Sequence, residues 1–335
     1  MSELIRPIDD VPVGEEQDSN LTYFAFAKSH KAEAAPAPTR GCIGELPDVL
    51  AGRYRIERLL GAGGMGLVYR ARDLLGEQFG DPSPYVALKI LSEEFAESPD
   101  ASALLYSEFA LTRHLRHHNV LRLHSFEVDT DCQRAFITME LMRGLTLDKL
   151  LCERPLGLPW KELRDIALPL LDALAYAHAR GVLHGDMKPS NVMLSEEGVR
   201  LFDFGLGQAE KGVLPGLPCL SRERFNGWTT GYAPPELLEG QPLLASADVY
   251  AVACVIYELA GGRHPFRRLP STQARNEHLE RELRMPEHLP KHCWPALRAA
   301  LAFDVADRTI TASQLHDVFA VTPSWLQRLI HRRNG

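Results

Sequence analysis

A glycine cluster near residue 60 constrains this chain more than any other feature. Gly61-Ala62-Gly63-Gly64-Met65-Gly66 matches G-x-G-x-x-G, and strand-like sequence lies on both sides of it. Ahead of it, Tyr54-Arg55-Ile56-Glu57-Arg58-Leu59-Leu60 alternates bulky apolar and charged residues; behind it, Leu67-Val68-Tyr69-Arg70-Ala71-Arg72 resumes extended character. A dinucleotide-binding unit would open a helix directly after the glycines. Two flanking strands make a β-hairpin instead, whose glycines let backbone N–H groups approach a phosphate with no Cβ in the way. The motif alone fits a ligand-free Gly-rich hairpin equally well.

The rest of the chain changes period part-way. Tyr85 to Leu91 reads as a third strand, and residues 101–116 as a helix with Leu104, Leu105, Phe109, Leu111 and Leu115 on its apolar face. Two more strands are expected at 120–128 and 133–141. After Gly144 the pattern turns helical, with a long Ala/Leu-rich helix over 163–180 in which Pro169 predicts a kink or a late start. Short strands follow near 191–194 and 199–202, then an irregular stretch over about 206–228, then helices from 235 to 320. The expected architecture is α+β and two-lobed: a small antiparallel β-rich lobe with one main helix, and a larger helical lobe.

Composition matters mainly at the ends. The formal net charge is −7, so no overall basic excess points to nucleic acid. Residues 1–48 hold nine acids and four bases, with an Ala/Pro stretch at 32–38, so residues 1–50 read as a flexible acidic extension in which Leu21–Ala27 is the one run able to dock. An acidic arm of this kind could recruit a basic partner. Six scattered cysteines show no C-x-x-C spacing, which argues against a zinc ribbon or redox motif, and a disulfide set is not expected. No signal peptide or membrane-spanning run is read, which makes the cytoplasm the default. Residues 321–335 form a short basic amphipathic tail.

Three further constellations carry chemistry. Lys89 stands in the apolar strand Val86-Ala87-Leu88-Lys89, where an unpaired ammonium is costly, and Glu108 on the next helix is its natural partner. His184-Gly185-Asp186-Met187-Lys188-Pro189-Ser190-Asn191 is followed twelve residues later by Asp203-Phe204-Gly205. Carboxylate and amide oxygens beside an ammonium suit a Mg²⁺-nucleotide site, with Asp186 left to accept a proton from a hydroxyl.

In this order the motifs resemble those of the eukaryotic-like serine/threonine protein kinases of bacteria, over about residues 54–320. The resemblance implies a protein-kinase fold with an N-lobe at 54–139, a hinge at 140–143 and a C-lobe at 144–320. It implies ATP and Mg²⁺, with Mn²⁺ as a substitute. Asp186 would be the catalytic base, Lys188 would steady the γ-phosphate, and Lys89 with Glu108 would place the α- and β-phosphates. Asn191 and Asp203 would hold the metal. Gly61, Gly63, Gly64 and Gly66 would cover the phosphates; Val68, Ala87 and Met193 would sandwich the adenine. Met139, Glu140 and Met142 would line its edge at the hinge. Glu236 would pair with Arg308, Asp248 would brace the catalytic loop, and Thr229 would bond it. The implied partners are proteins with Ser/Thr acceptors, this chain itself through autophosphorylation, and a cognate phosphatase, in signal transduction.

Two departures and two rivals accompany that resemblance. Gly185 replaces the arginine usual before the catalytic aspartate, so a phosphate on the loop would lack its guanidinium partner. Pro234 stands where Ala is usual. The wording His184-Gly185-Asp186 also resembles small-molecule kinases of the aminoglycoside and choline type, although Lys188, Pro189, Glu236 and Arg308 favour a protein substrate. A pseudokinase, acting as a nucleotide-gated binding module, is the rival from outside catalysis, and retention of Lys89, Glu108, Asp186, Asn191 and Asp203 speaks against it.

Overall fold

A computed structural model describes residues 24–25, 46–62, 66–91, 101–210, 212–214, 217 and 228–321 of the 335-residue chain. Gly63 and Gly64, Ser221, Cys42, Cys219 and the tail from 322 onward lie outside the described residues. The small lobe is a seven-stranded sheet in the order β1-β3-β4-β5-β7-β6, with β2 also on β3. These strands are β1 (Phe24–Ala25), β2 (Val49–Leu50), β3 (Tyr54–Ala62), β4 (Gly66–Asp73), β5 (Tyr85–Leu91), β6 (Leu123–Asp129) and β7 (Arg134–Glu140). All pairs are antiparallel except β1 with β3.

Period-2 alternation gives the sheet two different faces. Val68 pairs with Lys89, and Ala87 with Met139, so these side chains share one face. With Leu60, Leu91 and Ile137, Val68, Ala87 and Met139 form an apolar cluster beside Lys89 that helix α2 (Ala101–His114) joins through Leu105 and Phe109. Leu88, Ile90 and Phe136 point the other way, into a second cluster with Tyr54 and Leu50. A one-residue slip of β5 would move Lys89 out of the first face. Gly66 ends that register: a Cβ there would meet the Ile90 carbonyl oxygen at 2.5 Å.

The larger lobe is built on two helices, α4 (Trp160–Ala179) and α6 (Ala245–Gly261). Thirteen residues of α6 are buried, from Ala247 to Ala260, as expected of a helix apolar on every side. Around them lie α3 (Leu147–Glu153), α5 (Pro235–Leu238), α7 (Ser271–Asn276), α8 (Trp294–Ala300) and α9 (Ala312–Ala320). Between α3 and α5 come the short strands β9 (Val182–Leu183), β10 (Val192–Ser195), β11 (Gly198–Leu201) and β12 (Gln208–Ala209). β10 and β11 form the hairpin expected at 191–202, and β12 pairs with β9.

Four details differ from the sequence reading. The long helix starts at Trp160 rather than late, and runs through Pro169 because Ile166, Ala167, Leu170 and Leu171 on either side of the ring are all buried. Gly144–Thr146 is not helical but forms β8, paired with Met193 to Ser195. The connection after β4 carries a short helix, α1 (Leu74–Gln78), capped by the Asp73 carboxylate. The extension expected to be flexible over 1–50 supplies two strands: Leu50 is fully buried in β2, and the backbone of Phe24–Ala25 lies parallel to Gly61–Ala62. No described helix is long and apolar enough to cross a membrane. Cys132, Cys152, Cys254 and Cys293 are free thiols.

Candidate active site

The site lies where the first face of the sheet meets the loops of the larger lobe. Lys89 is 5 % exposed, and burial pulls its ammonium toward neutrality. Two carboxylates reverse that. Its Nζ donates to Glu108 Oε1 at 2.6 Å and Oε2 at 2.7 Å, and to Asp203 Oδ1 at 2.8 Å. The Lys89–Glu108 pairing expected from sequence is therefore present, with Asp203 as a third member. Burial works to raise the Asp203 carboxyl, and the Lys89 ammonium outweighs it, so Asp203 titrates below the usual carboxylate range. Burial and the neighbouring Asp203 together raise Glu108. The cluster holds one buried cation against two carboxylates, which leaves negative charge to be met.

Asp203 has φ +66°, a left-handed conformation costing ~1–3 kcal/mol for a residue with a side chain. Asn191 ends a 3-10 turn, Pro189–Asn191, just ahead of β10: its carbonyl accepts the Phe202 N–H at 3.1 Å, one residue before Asp203. The Asn191 amide donates to the Asp186 carbonyl at 2.9 Å, while its Oδ1 is buried with no partner. An orphaned amide oxygen beside excess carboxylate is the donor set of a hard divalent cation, so the residues fit one.

The loop 184–191 is hung from α6. Asp248 Oδ2 accepts the His184 N–H at 2.8 Å and the His178 ring N–H at 2.9 Å; its Oδ1 accepts the Gly185 N–H at 2.8 Å. Burial raises this carboxyl, and the His178 bond leads the groups that hold it below the ordinary range. His184 Nδ1 accepts the Asp186 N–H at 3.2 Å, so its Nε2 carries the hydrogen given to the Phe202 carbonyl at 3.0 Å. Asp186 is thereby aimed. Its Oδ2 accepts from Lys188 Nζ at 2.5 Å and its Oδ1 from the Thr229 N–H at 3.3 Å. Lys188 also donates to Thr229 Oγ1 at 3.0 Å. Gly185 has φ +81°, and a Cβ on it would meet the Leu206 carbonyl oxygen at 2.5 Å.

Val68, Ala87, Met139, Met142 and Met193 all belong to one apolar cluster. Glu140 ends β7, where its carboxylate accepts the Arg122 N–H at 2.8 Å. Among the described residues the Met142 N–H has no backbone partner. Gly61 and Gly66 flank the hairpin tip; Gly63 and Gly64 lie outside the described residues. Farther along, Arg308 Nη1 donates to Glu236 Oε1 at 2.6 Å, with the Arg308 side chain wholly buried, as the sequence pairing implied.

Sequence reasoning missed four contributors. His178, a third donor to Asp248, carried no signal beyond its place near the end of a helix. Phe202 and Leu60 complete the apolar cluster. Tyr232 donates its hydroxyl to Glu258 Oε2 at 2.5 Å, a contact between segments far apart in sequence. Among the described residues one other cluster has ligand-type atoms: His117, His118 and Asp172, within 4.8 Å of one another. There His117 Nδ1 accepts the Asn119 N–H, so its Nε2–H goes to Asp172 Oδ2 at 3.2 Å and both nitrogens of the His117 ring are used in hydrogen bonds.

With this geometry in hand, comparison with known proteins is decisive. A family profile described as "Protein kinase domain" matches residues 54–320. The chain belongs to the protein kinase family. Serine/threonine-protein kinase PkaA of Streptomyces coelicolor is 33% identical over 270 residues, covering 76% of this chain and 47% of that protein. Serine/threonine-protein kinase PknA of Mycobacterium tuberculosis is 32% identical over 222 residues, covering 65% of this chain and 48% of the relative. The crystal structure of the Mycobacterium tuberculosis PknI kinase domain superposes with a TM-score of 0.59 at 27% identity, covering 81% of this chain and 96% of that one. The chain spans about half the length of the curated relatives it matches. The two-lobed protein-kinase fold, with its antiparallel sheet and helical larger lobe, is thus the family's own. Kinases of this family use ATP with a divalent cation.

Proposed function

We propose that this chain is a serine/threonine protein kinase that transfers the γ-phosphoryl group of ATP to protein hydroxyls. The observation that carries the reading is Lys188 bridging Asp186 and Thr229, beside Asn191 with its unpartnered Oδ1. A nucleotide-binding module would need none of that polar alignment around Asp186.

In this reading the substrate hydroxyl donates its hydrogen bond to the Asp186 carboxylate, which is fixed by Lys188 and Thr229. The hydroxyl oxygen forms its bond to the γ-phosphorus in line as the bridging P–O bond breaks. The electron pair leaves with ADP, and the hydroxyl proton passes to Asp186. Lys188, 2.5 Å from Asp186, stabilises charge on the transferring group. Lys89, held by Glu108, orients the α- and β-phosphates. Asn191 and Asp203 would hold Mg²⁺, or Mn²⁺ in its place; the bound cation supplies charge neutralisation at the phosphates. Val68, Ala87 and Met193 would enclose the adenine, and the Met142 N–H would meet its edge, with Met139 and Glu140 beside it. Gly61, Gly63, Gly64 and Gly66 would cover the phosphates.

Gly185 adds a regulatory consequence. With no guanidinium before Asp186, loop phosphorylation is not the on-switch. The chain acts in cytoplasmic signalling, with itself among its substrates and a cognate phosphatase as counterpart. A labelled-ATP assay on the full chain, with Asp203→Ala as control, tests the reading. Transfer to Ser and Thr by the wild type and none by the variant is expected; a wild type that binds ATP yet transfers nothing would favour the nucleotide-gated module.

A further inference from the structure

Two consecutive residues with side chains, Arg267 and Arg268, adopt left-handed backbone, at φ +56° and +57°. Such conformations persist only where neighbours over-determine them. Here His264 Nδ1 accepts the N–H of both Phe266 (3.1 Å) and Arg268 (3.0 Å), which folds the 264–268 turn back on itself. The turn delivers the Arg268 guanidinium to Glu258, a carboxylate on α6 whose side chain is only 4 % exposed. Arg268 Nη2 and Nε donate to Glu258 Oε1 at 2.6 and 3.1 Å, and the Tyr232 hydroxyl takes Oε2. Both carboxylate oxygens are thus consumed from within the chain.

The place of this plug gives it meaning. Thr229 touches both Asp186 and Lys188, and the Tyr232 and Ala233 N–H groups bond back to the Thr229 carbonyl. The segment 229–233 therefore borders the acceptor position. Arg268 lies directly against it: a Cβ on Gly231 would come within 3.2 Å of the Arg268 carbonyl oxygen. The Arg268 side chain is 62 % exposed even while bonded, so it presents cationic surface beside the acceptor. Arg263 and Arg284 lie within electrostatic range of Tyr257, the neighbour of Glu258, and both are exposed. Between residues 263 and 298 there are eight lysines and arginines against four acids, in a chain whose net charge is −7.

We propose that Arg268 is a specificity-determining residue: by occupying Glu258 it removes a buried carboxylate bonded to Tyr232 of the acceptor segment and selects acceptor peptides that carry acidic residues next to the Ser or Thr. The proposal rests on the protein-kinase reading above and names its substrate class. Long-range attraction of this kind acts on encounter and binding, so it belongs in KM and weakens with salt.

The test compares paired synthetic peptides with the full chain and ATP–Mg²⁺: a Ser acceptor flanked by Asp/Glu, the same peptide flanked by Arg/Lys, and a neutral version. The wild type is expected to favour the acidic peptide over the basic one at least tenfold in kcat/KM, mostly through KM, with the ratio shrinking as NaCl rises from 50 to 300 mM. Arg268→Ala uncovers Glu258 and is expected to invert the ratio, while Arg268→Lys keeps its sign. Glu258→Gln frees the guanidinium and is expected to widen the wild-type preference, which keeps the test intact if Arg268→Ala does not fold. Equal use of acidic and basic peptides by the wild type, or an unchanged ratio in both Arg268→Ala and Glu258→Gln, overturns the proposal. Loss of transfer to all three peptides and of autophosphorylation by the wild type would instead fail the kinase reading itself.

Discussion

Single side chains here are set by what burial leaves unanswered. Asn191 is the sharpest case, because its Nδ2 is bonded while its buried Oδ1 is not. Asn191→Ala is expected to raise the Mg²⁺ concentration for half-maximal phosphotransfer by about tenfold or more, and a metal titration of activity checks it. Replacing Asp186, the proposed proton acceptor, by Asn is expected to lower kcat by ~10²-fold or more while ATP binding persists, checked by nucleotide affinity beside turnover. His264 makes a pH prediction. Burial holds its imidazole down to about 3, against 6.5 when free. Between those values the unfolded chain binds a proton that the folded chain refuses, so stability falls as pH drops from 6.5 toward 3. Up to one proton is involved, or ~1.4 kcal/mol per pH unit. Denaturant unfolding at pH 7.5 and 5.0 should show a smaller acid loss in His264→Asn than in the wild type; the lowered His117 and His124 contribute with the same sign in both.

At the scale of elements, rigidity is concentrated where loops turn back on themselves. Gly185→Arg would place a Cβ against the Leu206 carbonyl, so it is expected to lower both stability and activity without introducing dependence on loop phosphorylation. Phosphosite-resolved activity measurements check this; Thr230→Ala and Ser221→Ala should stay within a few-fold of wild type. The Arg308–Glu236 pair ties α5 to the chain just ahead of α9, and Arg308→Ala is expected to cost ~3–5 kcal/mol in denaturant unfolding, since it strands a mostly buried carboxylate. Strands β3 to β5 and helix α2 were legible because their apolar periods are long and clean, and β5 even revealed its charged member, Lys89. Helix α1 was not: Leu75 and Phe79 are exposed, so no amphipathic stripe marks it, and only the Asp73 cap remains as a signal. β8 hid because three residues carry no period; its identity comes from pairing with β10, a tertiary fact. Among candidate site residues, Lys89, Glu108, Asp186 and Asp248 could be proposed from motif order, whereas the Arg268–Glu258–Tyr232 contact joins three segments that no local spacing relates.

For the whole molecule, the two lobes contribute unlike chemistry to one cleft: the sheet brings an apolar wall and Lys89, and the loops hung from α6 bring Asp186, Asn191 and Asp203. Ligand that bridges both should stabilise the folded chain by mass action, ~2.7 kcal/mol at a hundredfold excess over Kd. Thermal unfolding with ATP–Mg²⁺ is expected to show that increase, and Asp203→Asn to lose most of its Mg²⁺-dependent part. The three-donor clasp on Asp248 carries its own corollary for the timing of structural loss. The His184 and Gly185 amides are tied to a carboxylate that is only 1 % exposed on a helix running through the middle of the large lobe. Deuterium can reach them only when that helix parts from its surroundings. Heat or solvent that frays the periphery should therefore leave the floor beneath Asp186 untouched, and phosphotransfer competence should vanish on the same clock as the last protected amides.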